Sequence, residues 1–492
     1  MRLPVLAFLV ATALALPSAV PAAQRAPTAA SAQAQRNLAD FDFVVQKISD
    51  NYAGWHTKVT DATRPRLDAL TARLRARAAA ASDEELLALM GEWLGFFNDR
   101  HIGVRRQAVA AGAGGEPPTP SLPWTEADVR ARLQALGTRR EPVEGIWRIA
   151  GDRYRVGVLR TGDGTGRFAA VILTTAADNW RPGQVKAELA RRADGGFDMV
   201  FRAGDHSENP VEGRLVADGD VLMVPDWGPW AREWPAPVDP EAAARLFPSA
   251  ELFLRRLSPR TLWLRIPDFN DNRAAPLRRL IEAHCGELAS TPNLIIDLRD
   301  NGGGSDYVYA PLVPLLYTRP IVTIGMELRA SPDNIAMREQ VAERIRAEAA
   351  DNAAAIDAQN RLMRERLGQY VNPDPRPFEI ERHATVLPFP RRVAVLIDGA
   401  ASTGEQFLLL ARQSRKTTLF GQRNSAGVLD FANVVGMPAP SGRYALQWAT
   451  SRSLRLPEDP VDPDGIPPDI RIPDEIRDPV RYAAAWLERQ VD

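Results

Sequence analysis

A hydroxyl, an imidazole and a cluster of bare peptide N–H groups can together perform acyl transfer, and this sequence carries all three. The stretch Asp297-Leu298-Arg299-Asp300-Asn301-Gly302-Gly303-Gly304 closes on three consecutive glycines just after the apolar run Leu294 to Asp297. Glycines there let the backbone bend sharply and present N–H groups to an anion or oxyanion. Taken alone, the triplet reads as a tight turn, and it is not a phosphate loop because the Lys-Ser/Thr ending is missing. About a hundred residues later, Val393 to Glu405 reads as a buried strand, a turn of small residues and the start of a helix carrying Phe407, Leu408, Leu410 and Ala411. Ser402 stands at that turn, where a helix N-terminus offers positive partial charge to a developing oxyanion. Its plain alternative is an N-cap serine with Glu405 closing a capping box. A Gly-x-Ser-x-Gly elbow is missing, since Ala400 holds the first glycine position, which argues against an ordinary α/β-hydrolase.

Serine at its ordinary pKa is a poor nucleophile and needs a base. The chain has only four lysines (Lys47, Lys58, Lys186 and Lys416) and five histidines (His56, His101, His206, His284 and His383). His101 is the most interesting, because it follows a helix in the run Asp99-Arg100-His101. Neither a His-Glu-x-x-His motif nor a cysteine-rich metal spacing occurs, so no hydrolytic metal and no cofactor are expected.

Elements of three kinds must position these residues. Leu38, Phe41, Val45, Ile48 and Tyr52 recur at helical spacing, a second helix is expected over about 64–80, and Ser82 with Glu85 forms a capping box that opens a third. These predict an N-terminal helical domain over 37–110, entered by a linker over 24–36. Residues 108–123, rich in Ala, Gly and Pro, read as a linker or loop. Short alternating runs with Gly-Asp turns then predict a small antiparallel β domain over 140–225, and the Trp- and Pro-rich span from Val224 to Pro240 reads as its exit. Over 240–480, strands alternate with helices, which predicts an α/β core with a parallel-rich sheet and flanking helices. A helical insertion over 331–369 interrupts it.

Lys plus Arg (61) and Asp plus Glu (62) almost cancel, giving a formal charge of −1, so nucleic-acid binding is not expected. With 45% hydrophobic and 25% charged residues the chain is not intrinsically disordered. Met1-Arg2, an apolar stretch and Val20-Pro21-Ala22-Ala23 read as a secretory signal peptide over 1–23, which predicts a periplasmic or secreted protein with no membrane span once it is removed. Cys285 stands alone, so no intrachain disulfide is expected.

In this order, the glycine and serine segments resemble the tail-specific, or C-terminal-processing, serine proteases, in the branch that includes the tricorn core and retinoid-binding-protein-like relatives. The matching stretches are Trp263 to Phe269, Leu294 to Gly304, Val393 to Glu405, Gly421 to Gly427 and Gly465 to Ile470, together with Tyr52-Ala53-Gly54 and Asp99-Arg100-His101. The resemblance implies a serine peptidase acting on peptides or unfolded protein. It implies Ser402 as nucleophile and an oxyanion hole from the N–H groups of Thr403 and of Gly302 or Gly303. The processing branch places a base lysine 25 residues after the serine, and Gly427 stands there, so the Ser-Lys dyad is absent. The His-using branch matches His101 as base and Asp462 as the acid that orients it, with Asp464 and Glu458 nearby. Relatives often carry a PDZ domain between the helices and the core, but 143–225 shows no Gly-Leu-Gly-Phe loop. Gly427 and the shorter acid keep two other readings open, an inactive peptide- or ligand-binding protein on the same scaffold and an esterase using the same serine.

Overall fold

The computed structural model describes residues 29–490, apart from 108–118, 150–152, 163–165, 205, 217–218, 225–226, 236–244, 246–247, 249–250, 348–349 and 375. The expected signal peptide over 1–23 lies outside the described residues. The expected linker does not hold along its length, because the first helix already runs from Ala29 to Asn51. Its alanine-rich start favours helix, and Asn37 fastens it by donating to the carbonyls of Ala78 and Ala81.

Helices Arg64–Ala78 and Asp83–Gly95 follow. Ser82 and Glu85 form the expected capping box at the second of these: the Ser82 N–H donates to Glu85 and the Glu85 N–H to Ser82 Oγ. The apolar faces of these helices do not close on one another alone. Phe41, Val44, Ile48, Leu86, Met90, Trp93 and Phe97 share one core with Phe431, Tyr444, Leu446 and Trp448, which belong to an antiparallel sheet. That sheet joins Gly103–Arg106, Met326–Arg329, Tyr370–Val371, Phe431–Pro438 and Tyr444–Ser453. The strand Gly103–Arg106 begins two residues after His101 and pairs with Tyr444–Gln447. The end of the helical region is thereby stitched to the C-terminal third of the chain.

Eight antiparallel strands between Gly145 and Trp234 close into a barrel. This is the expected small β region, yet the boundary at 225 falls short. Gly228–Trp234, read from its Trp and Pro content as a connecting span, is the strand that closes the barrel by pairing with both Gly145–Ile149 and Val221–Val224. Its Trp230 is fully buried in the barrel interior, and a pattern of Trp and Pro without regular alternation hid that burial. A helix at Glu126–Leu136, capped by Thr125 and Asp128, packs Val129 and Leu133 on the outside of the barrel; it was not expected.

The α/β unit is built on a six-stranded sheet in the order Phe253–Ser258, Thr261–Arg265, Asn293–Asp297, Arg392–Leu396, Thr417–Gly421, Ile470–Arg471. The last five run parallel and the first is an antiparallel edge. Buried on both faces, the central strands read as unbroken apolar runs, as parallel strands must. The insertion expected over 331–369 contains the helices Pro332–Ile345 and Ala350–Glu365. After the glycine turn the chain forms a 3-10 turn, Asp306–Leu312, and a single helical turn, Val313–Leu316, in place of one longer helix, because Pro311 and Pro314 remove backbone donors. Among the described residues, no helix is long and apolar enough to cross a membrane.

Candidate active site

Open parallel sheets collect ligands at the carboxyl ends of their strands, and three adjacent strand ends converge here. From Asn293–Asp297 the chain enters the glycine turn. Asp297 is buried and bound through both oxygens by Arg299 (2.9 and 2.7 Å), while Arg265 donates to the carbonyls of Asp297 and Arg299 (3.1 and 2.7 Å). Burial alone would raise the Asp297 carboxyl, but the Arg299 guanidinium holds it below its usual value. The Asp-Leu-Arg motif is thus a pin that fixes where the strand ends. Asn301 then folds its side chain into the turn, donating to the Ile266 carbonyl (3.1 Å) and accepting the Gly303 N–H (2.9 Å).

The bond to Asn301 corrects one expectation. Gly303 was a candidate oxyanion donor, but its N–H is already taken by Asn301. Among the described residues, the N–H groups of Gly302, Gly304 and Thr403 have no hydrogen-bond acceptor. Gly303 still matters through its shape. At φ +90°, a Cβ on it would lie 2.8 Å from Ser402 Cβ and 2.9 Å from the Ala401 carbonyl, so only glycine lets the turn sit against the serine.

From Arg392–Leu396 the chain turns through Ala400 and Ala401 into the helix Thr403–Ala411. Ser402 sits between them at φ +53°, ψ −121°, a conformation that costs a non-glycine residue roughly 1–3 kcal/mol. Ser402 and Glu405 do form the expected capping box, but N-cap serines ordinarily sit in the extended region, so capping by itself does not account for this backbone. A sharp, strained strand-to-helix turn is how nucleophilic serines are exposed above parallel sheets. The turn is held from both sides: the Ala401 N–H donates to the Asn301 carbonyl (2.8 Å) and Thr403 Oγ1 to the Gly304 carbonyl (2.9 Å).

Glu405 had been noted only as a possible capping residue, yet it organises the third strand end. Fully buried, it accepts from the Ser402 N–H (3.1 Å), Ser425 Oγ (2.6 Å), the Gly427 N–H (2.7 Å) and the Val428 N–H (2.8 Å). Burial nevertheless pushes its carboxyl above the usual value. Where the processing branch would have lysine, Gly427 sits at φ +67°, and a Cβ there would lie 2.1 Å from the Pro463 carbonyl oxygen. Lys416 donates its Nζ to the Leu387 carbonyl (2.6 Å) and precedes Thr417–Gly421, at the opposite end of the sheet.

His101 reaches this region through its neighbours. Arg100 donates to the Ala426 carbonyl (2.9 Å), and the Ala426 N–H donates to Ala400 (2.8 Å), two residues before Ser402. A ring nitrogen of the imidazole is within hydrogen-bond reach of the Phe431 backbone, and burial holds its pKa below the ordinary value. A neutral imidazole is the form a base requires. No hydrogen bond joins the ring to Ser402 among the described residues, and its Nδ1 is buried without a partner.

Asp462 was the acid expected beside that ring. Its Oδ1 instead accepts from the N–H groups of Leu429 (2.6 Å) and Asp430 (3.1 Å). The carboxylate nearest Nδ1 is Asp99, at 3.9 Å. The two nearby alternatives, Asp464 and Glu458, are exposed. Asp462 is within electrostatic reach of Asp99, and Asp99, two residues before His101 in sequence, reads there only as the flank of that histidine.

Burial, with Asp430 and Asp99 nearby, pushes Asp462 from 3.8 up to about 7. The folded chain therefore binds this proton more tightly than the unfolded one. Its favourable contribution is complete below about pH 4 and is lost as pH rises through about 7. Asp462→Asn keeps the backbone acceptor and removes the charge, so it is expected to exceed wild-type stability at pH 8 by roughly 2–4 kcal/mol. That gain should vanish near pH 4. Urea titrations at the two pH values measure it, and a difference independent of pH would contradict the burial argument.

Among the described residues, no group of three or more His, Cys, Asp or Glu side chains is arranged to hold a metal ion. No curated protein matches the sequence. Among solved structures, the chain is similar to mature CPAF, at 15% identity and a TM-score of 0.48, covering 93% of this chain and 97% of that one. It is also similar to the photosystem II D1 C-terminal processing protease, at 12% identity and a TM-score of 0.37, covering 89% and 94%. A lipoprotein from Streptococcus agalactiae aligns at 9% identity and a TM-score of 0.37, covering 96% and 100%. Residues 260–472, which hold the glycine turn, the Ser402 turn and Gly427, match the model of peptidase family S41, and that match supports the resemblance of this segment to the tail-specific proteases.

Proposed function

We propose that this protein is an exported enzyme that cleaves peptide bonds with Ser402 as nucleophile and His101 as base. The observation that carries the reading is the backbone of Ser402. A non-glycine residue held at φ +53° at the head of a buried helix is costly, and such strain persists where exposure of a side chain repays it. His101 would take the hydroxyl proton as Ser402 attacks a carbonyl and return it to the leaving amine. The Thr403 N–H, with Gly302 or Gly304, would receive the oxyanion at the N-terminus of the helix Thr403–Ala411. Export rests on the N-terminal apolar segment of the sequence.

A second reading, a binding protein on the same scaffold, is favoured by the missing hydrogen bond between Ser402 and the imidazole. Such bonds are often long in free enzymes and tighten in the substrate complex. A fluorophosphonate probe separates the two. It is expected to label the purified chain and not Ser402→Ala or His101→Ala, with casein fragments hydrolysed and short acyl esters turned over more slowly. An unlabelled wild-type chain would favour the binding protein, and ester turnover with inert peptides would favour an esterase.

A further inference from the structure

We propose that Asp99, locked by Tyr52, is the acid that orients the His101 imidazole, in place of an acid from the segment before Gly465. The inference rests on the reading of His101 as base.

Asp99 is placed with little freedom. Its side chain is 1% exposed; Oδ1 accepts the His101 backbone N–H (2.8 Å) and Oδ2 accepts the Tyr52 hydroxyl (2.6 Å). The same Oδ1 faces the ring Nδ1 at 3.9 Å, the buried nitrogen that has no other partner. That separation exceeds a hydrogen bond, but a small rotation of the imidazole toward Oδ1 would close it without moving Asp99.

Tyr52 is in turn fixed by construction. Its ring is buried against Phe97 and Phe431, with centroids 5.6 Å away in each case. The next residue is tied down through both backbone groups: the Ala53 N–H donates to Ala449 (3.0 Å), and Ala53 accepts from the Tyr370 hydroxyl (2.6 Å). Gly54 completes the device, since a Cβ there would lie 2.2 Å from the Tyr52 hydroxyl. The Tyr-Ala-Gly run is therefore what lets the phenol fold back onto Asp99. Burial and the adjacent Asp99 drive the Tyr52 pKa well up, so it remains a donor.

The other charged groups nearby are otherwise engaged. Arg100 points to Ala426. Asp430 accepts the N–H groups of Val461 and Asp462 (2.6 and 2.9 Å) and pairs with Arg455 (3.3 Å). Asp462 is occupied by two backbone N–H groups. Among these carboxylates, Asp99 is the one whose charge bears on His101.

The test is an NMR titration of His101 in the full chain, assigned by its loss in His101→Gln, for wild type, Asp99→Asn, Tyr52→Phe and Asp462→Asn. This readout does not require turnover, so it stands even if the chain proves not to be a peptidase. Asp99→Asn retains an acceptor for the His101 N–H and is expected to lower the His101 pKa by about one unit, with Asp462→Asn moving it by less than half as much. In the active enzyme, Asp99→Asn should cut kcat about a hundredfold or more with KM changed less than about threefold. Tyr52→Phe should lower kcat about tenfold and shift the acid limb of the pH profile. A purely structural role would leave the titration unmoved. A larger His101 shift in Asp462→Asn than in Asp99→Asn would overturn the proposal.

Discussion

Ser402→Ala is expected to reduce peptide turnover by about 10⁵-fold with little change in stability, and Ser402→Gly to be equally inactive but more stable. Alanine keeps the Cβ and therefore the same unfavourable backbone at φ +53°. Glycine removes the Cβ and with it most of the strain. The expected difference between the two variants is about 1–2 kcal/mol in favour of glycine, read as a shift in the denaturant midpoint at unchanged slope. Because both lack the hydroxyl, the comparison isolates the backbone from the chemistry. Equal stability of the two would mean that the turn stores no strain, and measurable turnover by either would remove Ser402 from the reaction.

Gly427→Lys is expected to behave as a folding defect and not as a restored dyad. Lysine at this position is what the processing branch would supply, and sequence alone makes the substitution look like a repair. The structure opposes it at the first side-chain atom. A Cβ would lie 2.1 Å from the Pro463 oxygen, 2.5 Å from its carbonyl carbon and 2.8 Å from the Gly465 N, all of them backbone. The φ of +67° adds strain. Relieving that overlap would also pull the Gly427 N–H away from Glu405, whose other oxygen holds the Ser402 N–H. A loss of more than about 4 kcal/mol follows from overpacking combined with a broken buried hydrogen bond, seen as a fall of roughly 10 °C in Tm. Gly427→Ala should share most of that loss, since the clash begins at Cβ. A lysine variant that folds at the wild-type Tm and gains activity at alkaline pH would contradict this account.

The two glycine positions show why the site was only partly legible. Gly303 was noticed because three glycines in a row are conspicuous, and its packing against Ser402 supports that attention. Its role as a donor was misassigned, because whether an N–H is free depends on the rotamer of Asn301. Gly427 was noticed only as a missing lysine. The reason for glycine there is the backbone of Pro463 and Gly465, brought in from 36 residues or more away. The barrel gives a parallel case on a larger scale: runs such as Tyr154–Arg160 and Phe197–Arg202 read as strands, while the closing strand Gly228–Trp234 is defined by partners at both edges that its own residues do not announce.

By itself, the sequence determined what nearest neighbours dictate. Ser82 and Glu85 start a helix, unbroken apolar runs make parallel strands, glycines follow a strand end, and a serine stands before a helix with glutamate three residues on. Each of these depends on hydrogen bonds or sterics within a few residues. The tertiary structure alone decided which carboxylate meets His101, because Tyr52, Asp99 and Asp462 come from three distant parts of the chain. It also decided that the N-terminal helices share a core with the sheet around Trp448. Long-range packing chooses among partners that local chemistry leaves equivalent, and in a chain with 62 carboxylate residues only burial and distance can single out the one that faces the ring.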